Sequence, residues 1–220
     1  MKDFFNKIRT PDTDINRKQK IMVPLFMLLL GIILGIFSKW LDNLSIDDTI
    51  WWQHLLGVLD LGNVFSGFGI WICLAVAISV FSKTPLRAGL HVFLFFLGMC
   101  VSYHLYTILF CGFNPMAYMM IWYGITLLSP ILAFICWYGK GKGAVSLVID
   151  IGILTVMLLV SFAIGIWYFD VRSVIDTLLF ICTVVILYTN PRQSVYSLIG
   201  AVCFAYMIRL ICVSPSTITF

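Results

Sequence analysis

Apolar residues in this chain come in long unbroken runs rather than in the alternating patterns of half-buried helices or strands. A helix needs about 20 such residues to cross roughly 30 Å of hydrocarbon. Seven runs approach or exceed that length: residues 21–40, 64–82, 88–110, 116–138, 144–169, 171–189 and 195–213. The connections are short and rich in turn formers, as in "SKTPLR", "CGFNPM", "YGKGKG" and "TNPRQS". The fifth and sixth runs nearly touch, and fusing them would leave six crossings. The pattern predicts an all-α, polytopic transmembrane helical bundle of about seven spans, forming one domain over residues 21–213. A tail at 214–220 follows.

Composition agrees. Of the 220 residues, 61% are hydrophobic and 11% charged, against about 25% charged in soluble domains. Such a chain takes lipid as its solvent, and the expected location is a cell membrane crossed many times. The first twenty residues form a basic arm, "MKDFFNKIRTPDTDINRKQK", read as cytoplasmic. It serves as a topogenic signal, or its Phe4, Phe5 and Ile8 rest on the membrane while its cations meet anionic lipid. Placing this arm inside puts eleven of the fourteen lysines and arginines inside and the C-terminus outside. Near residues 47–60, Trp51, Trp52, Leu55, Leu56 and Leu59 recur at helical spacing. They predict an amphipathic segment on the outer surface, as an anchor or a lid.

Polar residues within spans are costly and face other helices or water. At about 1.5 Å per residue, His104, Asp176 and Arg209 lie roughly 6–9 Å below the outer end of their spans. Thr107 shares a helical stripe with His104, and Tyr206 lies three residues from Arg209. These stripes predict a polar site that opens outward, with His104, Asp176, Arg209, Tyr206 and Thr107 lining it and Asp42 at its mouth. Each residue also has a structural reading. Arg209 would snorkel to the headgroups, His104 would bond a neighbouring helix, and Asp176 would sit at a helix N-terminus. On the inner side Asp150 and His91 form a candidate gate or proton step, or a structural pair.

The pairs Gly31/Gly35, Ser161/Gly165 and Ala201/Ala205 suit close helix packing, and Pro130 should kink the fourth span. Cys111 and Cys212 fall near one membrane face, where a disulfide would fit. No hydrolase, protease, nucleotide-binding or metal-ligating pattern emerges, so no catalytic residue, metal or cofactor is expected, and no nucleic-acid partner.

The stretches "LGNVFSGFGIW" (61–71), "VFSKTPLRAGL" (80–90) and "FFLGMCVSYHLY" (95–106) resemble a family of small bacterial multi-pass membrane proteins without assigned activity. That resemblance implies a bacterial inner membrane. In outline the chain is also similar to the substrate-binding subunits of energy-coupling-factor importers. This likeness implies a solute held near the outer surface and a partner subunit packed on Gly31 and Gly35, although those subunits have six spans. The expected function is binding or transport of a small solute through a site open to the outside. Two alternatives stand beside it. One is an accessory protein that stabilises or regulates a membrane partner or a second copy of itself. The other is a membrane-embedded enzyme acting on a lipid-like substrate.

Overall fold

The computed structural model describes residues 2–12, 14, 16–45, 49–165 and 167–212, the side chains of 2–4 and 212 excepted. Asp47, Asp48, the Phe4 side chain, the Cys111–Cys212 pairing and the tail at 214–220 therefore lie outside the described residues. The arm begins as α1 (Lys2–Ile8), followed by α2 (Arg17–Asp42), α3 (Trp51–Val58) and α4 (Leu61–Ser66). Next come α5 (Gly69–Phe81), α6 (Pro85–Cys111), α7 (Met116–Trp137), a 3₁₀ turn (Tyr138–Lys140) and α8 (Ala144–Ser161). A hairpin of β1 (Phe162–Ile164) and β2 (Phe169–Val171) leads to α9 (Val174–Leu187) and α10 (Pro191–Cys212).

Among the described residues, five helices are long and apolar enough to cross a membrane: α2, α6, α7 with the 3₁₀ turn, α8 and α10. The other two apolar helices, α5 and α9, have 13 and 14 residues, roughly 20 Å at about 1.5 Å per residue. The second run is interrupted after Ser66, where Gly67 is extended and Trp71 Nε1 donates to the Phe65 carbonyl at 2.9 Å. The fifth run does not remain helical to residue 169. After Ser161 it turns into an antiparallel pair with Phe162 opposite Val171 and Ile164 opposite Phe169. Aromatic and β-branched residues favour this pairing. Gly165 N–H closes it on the Tyr168 carbonyl at 2.9 Å, so Gly165 is a turn residue rather than a helix-packing one. The α9 helix then starts at a Ser173 cap, whose Oγ accepts from Ile175 N–H at 3.1 Å.

Contacts show that the helices alternate in direction. At one end Arg9, Ser82, Trp137 and Lys142 meet; at the other, Asp42, Ser66, Tyr103 and Asn43 meet. We call these the Arg9 end and the Asp42 end. The α2 helix lies along α6, and a side chain on Gly31 or Gly35 would collide with the Phe95 carbonyl or with Ser102 and Met99. From the α6 side, a side chain on Gly98 would strike the Leu28 carbonyl. Both α2 glycines thus pack within the chain, buried against α6. One core cluster joins α2, α4, α5, α6 and α7, and a second joins α5, α7, α8, α9, α10 and β1. The helices α5 and α7 belong to both.

Pro130 cannot donate to the Thr126 carbonyl one turn back. The Ser129 hydroxyl donates there instead, at 2.8 Å, and α7 continues through Trp137. Membrane helices tolerate proline when such a substitute exists.

The arm folds back on the bundle. Ile8 is buried beside Ala88, Trp137 and Tyr138, with Phe5 packed on the same cluster. Ile8 and Phe5 therefore rest on protein rather than on lipid. Lys142 N–H donates to the Ile8 carbonyl at 2.9 Å. Lys83 pairs with Asp12 at 3.0 Å, and its hydrogen bond holds that carboxyl below the usual carboxylate range. The short helix α3 buries no residue, but Leu56 packs against the first core cluster and Trp52 stacks on Trp40, their ring centres 6.3 Å apart.

Replacing Gly98 by alanine forces the α2 and α6 backbones apart. We expect a loss of about 1–3 kcal/mol, typical of overpacking, in denaturant unfolding of the detergent-solubilised protein. Gly124→Ala, where a Cβ meets nothing within 4 Å, should leave stability unchanged or slightly raised.

Candidate functional site

The last four carbonyls of any helix lack partners within it. At the Arg9 end one side chain serves two helices. Arg9 Nη1 donates to the Trp137 carbonyl of α7 at 2.6 Å, and Nη2 donates to the Val80 carbonyl of α5 at 2.8 Å. Its guanidinium lies 4.1 Å from the centre of the Trp137 ring. Burial pulls its pKa down from the ordinary value, yet an arginine stays charged, and a cation at two helix C-termini is favoured. Trp137 Nε1 in turn donates to the Ser82 carbonyl at 2.7 Å.

Ser82 donates its one hydroxyl proton to the Ile78 carbonyl at 2.7 Å. His91 Nδ1, 2.9 Å from Ser82 Oγ, is accordingly the protonated nitrogen, and the network assigns the tautomer. His91 Nε2 is buried without a partner among the described residues. Asp150 is not its mate. The Asp150 Oδ2 accepts from Gln193 Nε2 at 3.1 Å, and the same amide reaches Ser146 Oγ at 2.9 Å. Each residue bonds to a different neighbour, and no hydrogen bond or ion pair joins the two among the described residues. His91 belongs to the α5–α6 turn, and Asp150 to the seam between α8 and α10.

At the Asp42 end, His104 Nε2 lies 2.8 Å from Asn114 Oδ1 and donates to it, so Nδ1 accepts from the Tyr123 hydroxyl at 2.8 Å. Both ring nitrogens are thereby used within α6, α7 and their connection. Asp42 accepts from Tyr103 Oη at 2.6 Å and from Ser66 Oγ at 3.0 Å, tying the end of α2 to α6 and α4. Thr107 is buried and bonds its own helix at the Tyr103 carbonyl, 2.9 Å away. Asp176 lies in the first turn of α9, beside Gly69, with Arg172 and Asp60 as its charged neighbours. Tyr206 packs against the second core cluster. Arg209 closes α10, and its Nε is buried without a partner among the described residues.

No hydrogen bond or ion pair among the described residues joins any two of His104, Asp176 and Arg209. The reason lies in helix order. The α6 helix is held between α2, α7 and α5, α9 packs on α5 and α8, and α10 packs on α8. Among the described residues no group of three histidine, cysteine or acidic side chains could hold a metal ion.

A substantial space lies elsewhere. A cavity of about 440 Å³ runs between α5, α6, α7 and α8. Phe68, Trp71 and Trp122 wall it toward the Asp42 end, and Cys136 and Ile149 toward the Arg9 end. Leu132, Ile135 and Val156 line it and are also exposed on the outer surface of α7 and α8, so it opens sideways between those helices. Its two hydroxyls are taken: Ser79 donates to the Ala75 carbonyl and Ser129 to that of Thr126. The lining therefore presents carbon, aromatic rings and one thiol.

Sequence reading missed Arg9 as a cap, Tyr123 and Asn114 as partners of His104, and Gln193 as the partner of Asp150. A signal for Gln193 was present. Gln193, Ser197, Ala201 and Ala205 recur every four residues, and the last three are buried. That stripe marks the α10 face toward α8.

Comparison with family models, with curated proteins and with solved structures finds no match. The architecture itself defines an integral membrane protein with several apolar helices.

Arg9→Ala should cost about 2 kcal/mol: hydrogen bonds from a charged group contribute about 1.5–3 kcal/mol each, and solvent screening at this half-buried site brings the two below their sum. It should also open the arm to limited proteolysis. Arg9→Lys should restore only part of the loss, because an ammonium lacks the fork that reaches two carbonyls. Lys7→Ala, at an exposed position, is the control.

Proposed function

We propose that this protein binds a lipid-like molecule, drawn sideways from the bilayer, in the cavity between α5, α6, α7 and α8. The observation that carries this reading is the mouth. Leu132, Ile135 and Val156 belong both to the cavity wall and to the exposed apolar surface, so an acyl chain reaches the pocket without meeting water. Small-molecule sites are concave and mostly apolar, with volumes of about 300–1,000 Å³, and 440 Å³ falls in that range. A polar solute would leave its hydrogen-bonding groups unmet here, at a cost of about 1–3 kcal/mol each. The occupant is thus apolar, and its site lies at the centre of the bundle rather than at the polar outer rim.

The reading includes seven crossings, with the Arg9 end inside and the Asp42 end outside. The alternation of helix direction supports it. So does the positive charge gathered at the Arg9 end. The short helices α5 and α9 would cross with the help of α4 and the β1–β2 hairpin, which extend them at the Asp42 end. Trp51, Trp52 and Trp167 would sit at the outer headgroups.

Fluorescence tests the reading. Trp71 and Trp122 line the cavity and are only 2% and 6% exposed, so brominated acyl chains quench them most strongly from within the cavity. Phenylalanine placed at Gly152, a lining position where a Cβ meets nothing within 4 Å, should fill the space and reduce that quenching by half or more. The quenched component is identified by its loss in a Trp71→Phe, Trp122→Phe double variant. Equal quenching in the native and Gly152→Phe proteins would refute lipid occupancy.

A further inference from the structure

Asp150 is 2% exposed, and its Oδ1 has no hydrogen-bond partner among the described residues. Its Oδ2 accepts a single side-chain bond, from the Gln193 amide at 3.1 Å. Ser146 gives no help, since its hydroxyl proton goes to the Gly139 carbonyl. The surroundings of Oδ1 are carbon. A Cβ built on Gly139 would lie 2.8 Å from Oδ1, 3.4 Å from Leu187 Cδ2 and 3.5 Å from Ile149 Cγ2.

Several ionisable side chains stand on the elements packed around this site. They are the Cys136 thiol of α7, Tyr138 and Lys140 of the 3₁₀ turn, Tyr188 after α9, Arg192 of α10 and Arg9 of the arm. The thiol is within electrostatic reach of the carboxyl. The Lys140 ammonium lies 5.0 Å over the Phe81 ring, and Arg9 is engaged with the two helix ends. No cation pairs with Asp150 among the described residues.

A lone amide donor does not compensate a buried carboxylate, whose desolvation is the dominant cost of taking it out of water. The missing counter-charge must come from outside the chain. A bound metal ion needs several oxygens converging on it, and among the described residues no group of three histidine, cysteine or acidic side chains could hold one here. A proton needs no such group.

We propose that Asp150 is a proton-binding site, loaded and unloaded from the Arg9 end, with Gln193 as the group that senses its charge. On uptake an O–H bond forms at Oδ1 with a proton delivered by water. On release that bond breaks, the proton returns to water, and the carboxylate draws harder on the Gln193 amide. Gln193 is half-buried at the start of α10 beside exposed Arg192, so the seam between α8 and α10 is the route. Ile149, Gly152 and Ile153 of the same helix line the cavity, which places the proton directly behind its wall. The proposal does not depend on what fills the cavity.

Infrared difference spectroscopy of the full chain in lipid nanodiscs tests it. All ten acidic side chains are aspartates, so a protonated-carboxyl stretch is assigned by its absence in Asp150→Asn. The native protein should show this band at neutral pH and lose it as pH rises. Gln193→Leu removes the donor that favours the charged form, so the loss should move up by about one pH unit, the size of one such hydrogen bond. If Asp150→Asn does not fold, the native titration and its shift in Gln193→Leu decide alone. Three results would overturn the proposal: no titrating band, a titration that Gln193→Leu leaves in place, or a band that emerges only when sodium is withdrawn.

Discussion

In hydrocarbon a backbone N–H or C=O has no water to turn to, so every interruption of a helix must be repaired by the protein itself. Four breaks around α5 and α7, at Ser66–Phe68, Ser82–Thr84, Pro130 and Trp137–Gly143, are answered by side chains. Trp71 reaches back to Phe65, Trp137 to Ser82, and Ser129 to Thr126. Arg9 crosses from the arm to the ends of both α5 and α7. The residues that break the helices and the residues that heal them are neighbours in space, and together they fix where α5 and α7 end.

That arrangement decides the shape of the interior. The helices α5 and α7 are the two elements shared by both core clusters. Glycines draw α2 against α6, and the Gln193–Ser197–Ala201–Ala205 stripe, buried from Ser197 onward, draws α10 against α8. Each close pairing consumes small residues, and the space left over collects where the two halves meet, along α5, α7 and α8. The walls of that space are aromatic and aliphatic because its only neighbours are core side chains and lipid. Proline at position 130 adds no polarity, since Ser129 has already met the carbonyl that proline abandoned.

The hydrophobic runs made the membrane helices legible, because length and apolarity are imposed by the bilayer itself. The boundaries were less so. Apolar periodicity carries no sign of the hairpin at 162–171, where an aromatic run and Gly165 form a turn, or of the break at Gly67. Polar residues were correctly seen as exceptional, but their partners were not. His104 meets Tyr123, Asp150 meets Gln193, and Asp42 meets Tyr103, all through long-range neighbourhoods set by helix packing. Depth below the surface, the one coordinate that sequence supplies, placed His104, Asp176 and Arg209 in a common layer. It could not say which helices α6, α9 and α10 pack against. Arg9 was read as one positive charge among many. Its role depends on two carbonyls, 71 and 128 residues away.

The central claim is that the gap between α7 and α8 is a lipid-filled site rather than a packing flaw. A density map of the protein in lipid nanodiscs, at a resolution that shows acyl chains, bears on it most directly. Elongated density entering past Leu132 and Val156 and ending against Trp71 and Trp122 is the predicted result. A map in which α7 and α8 close on each other and leave no room between them would contradict it.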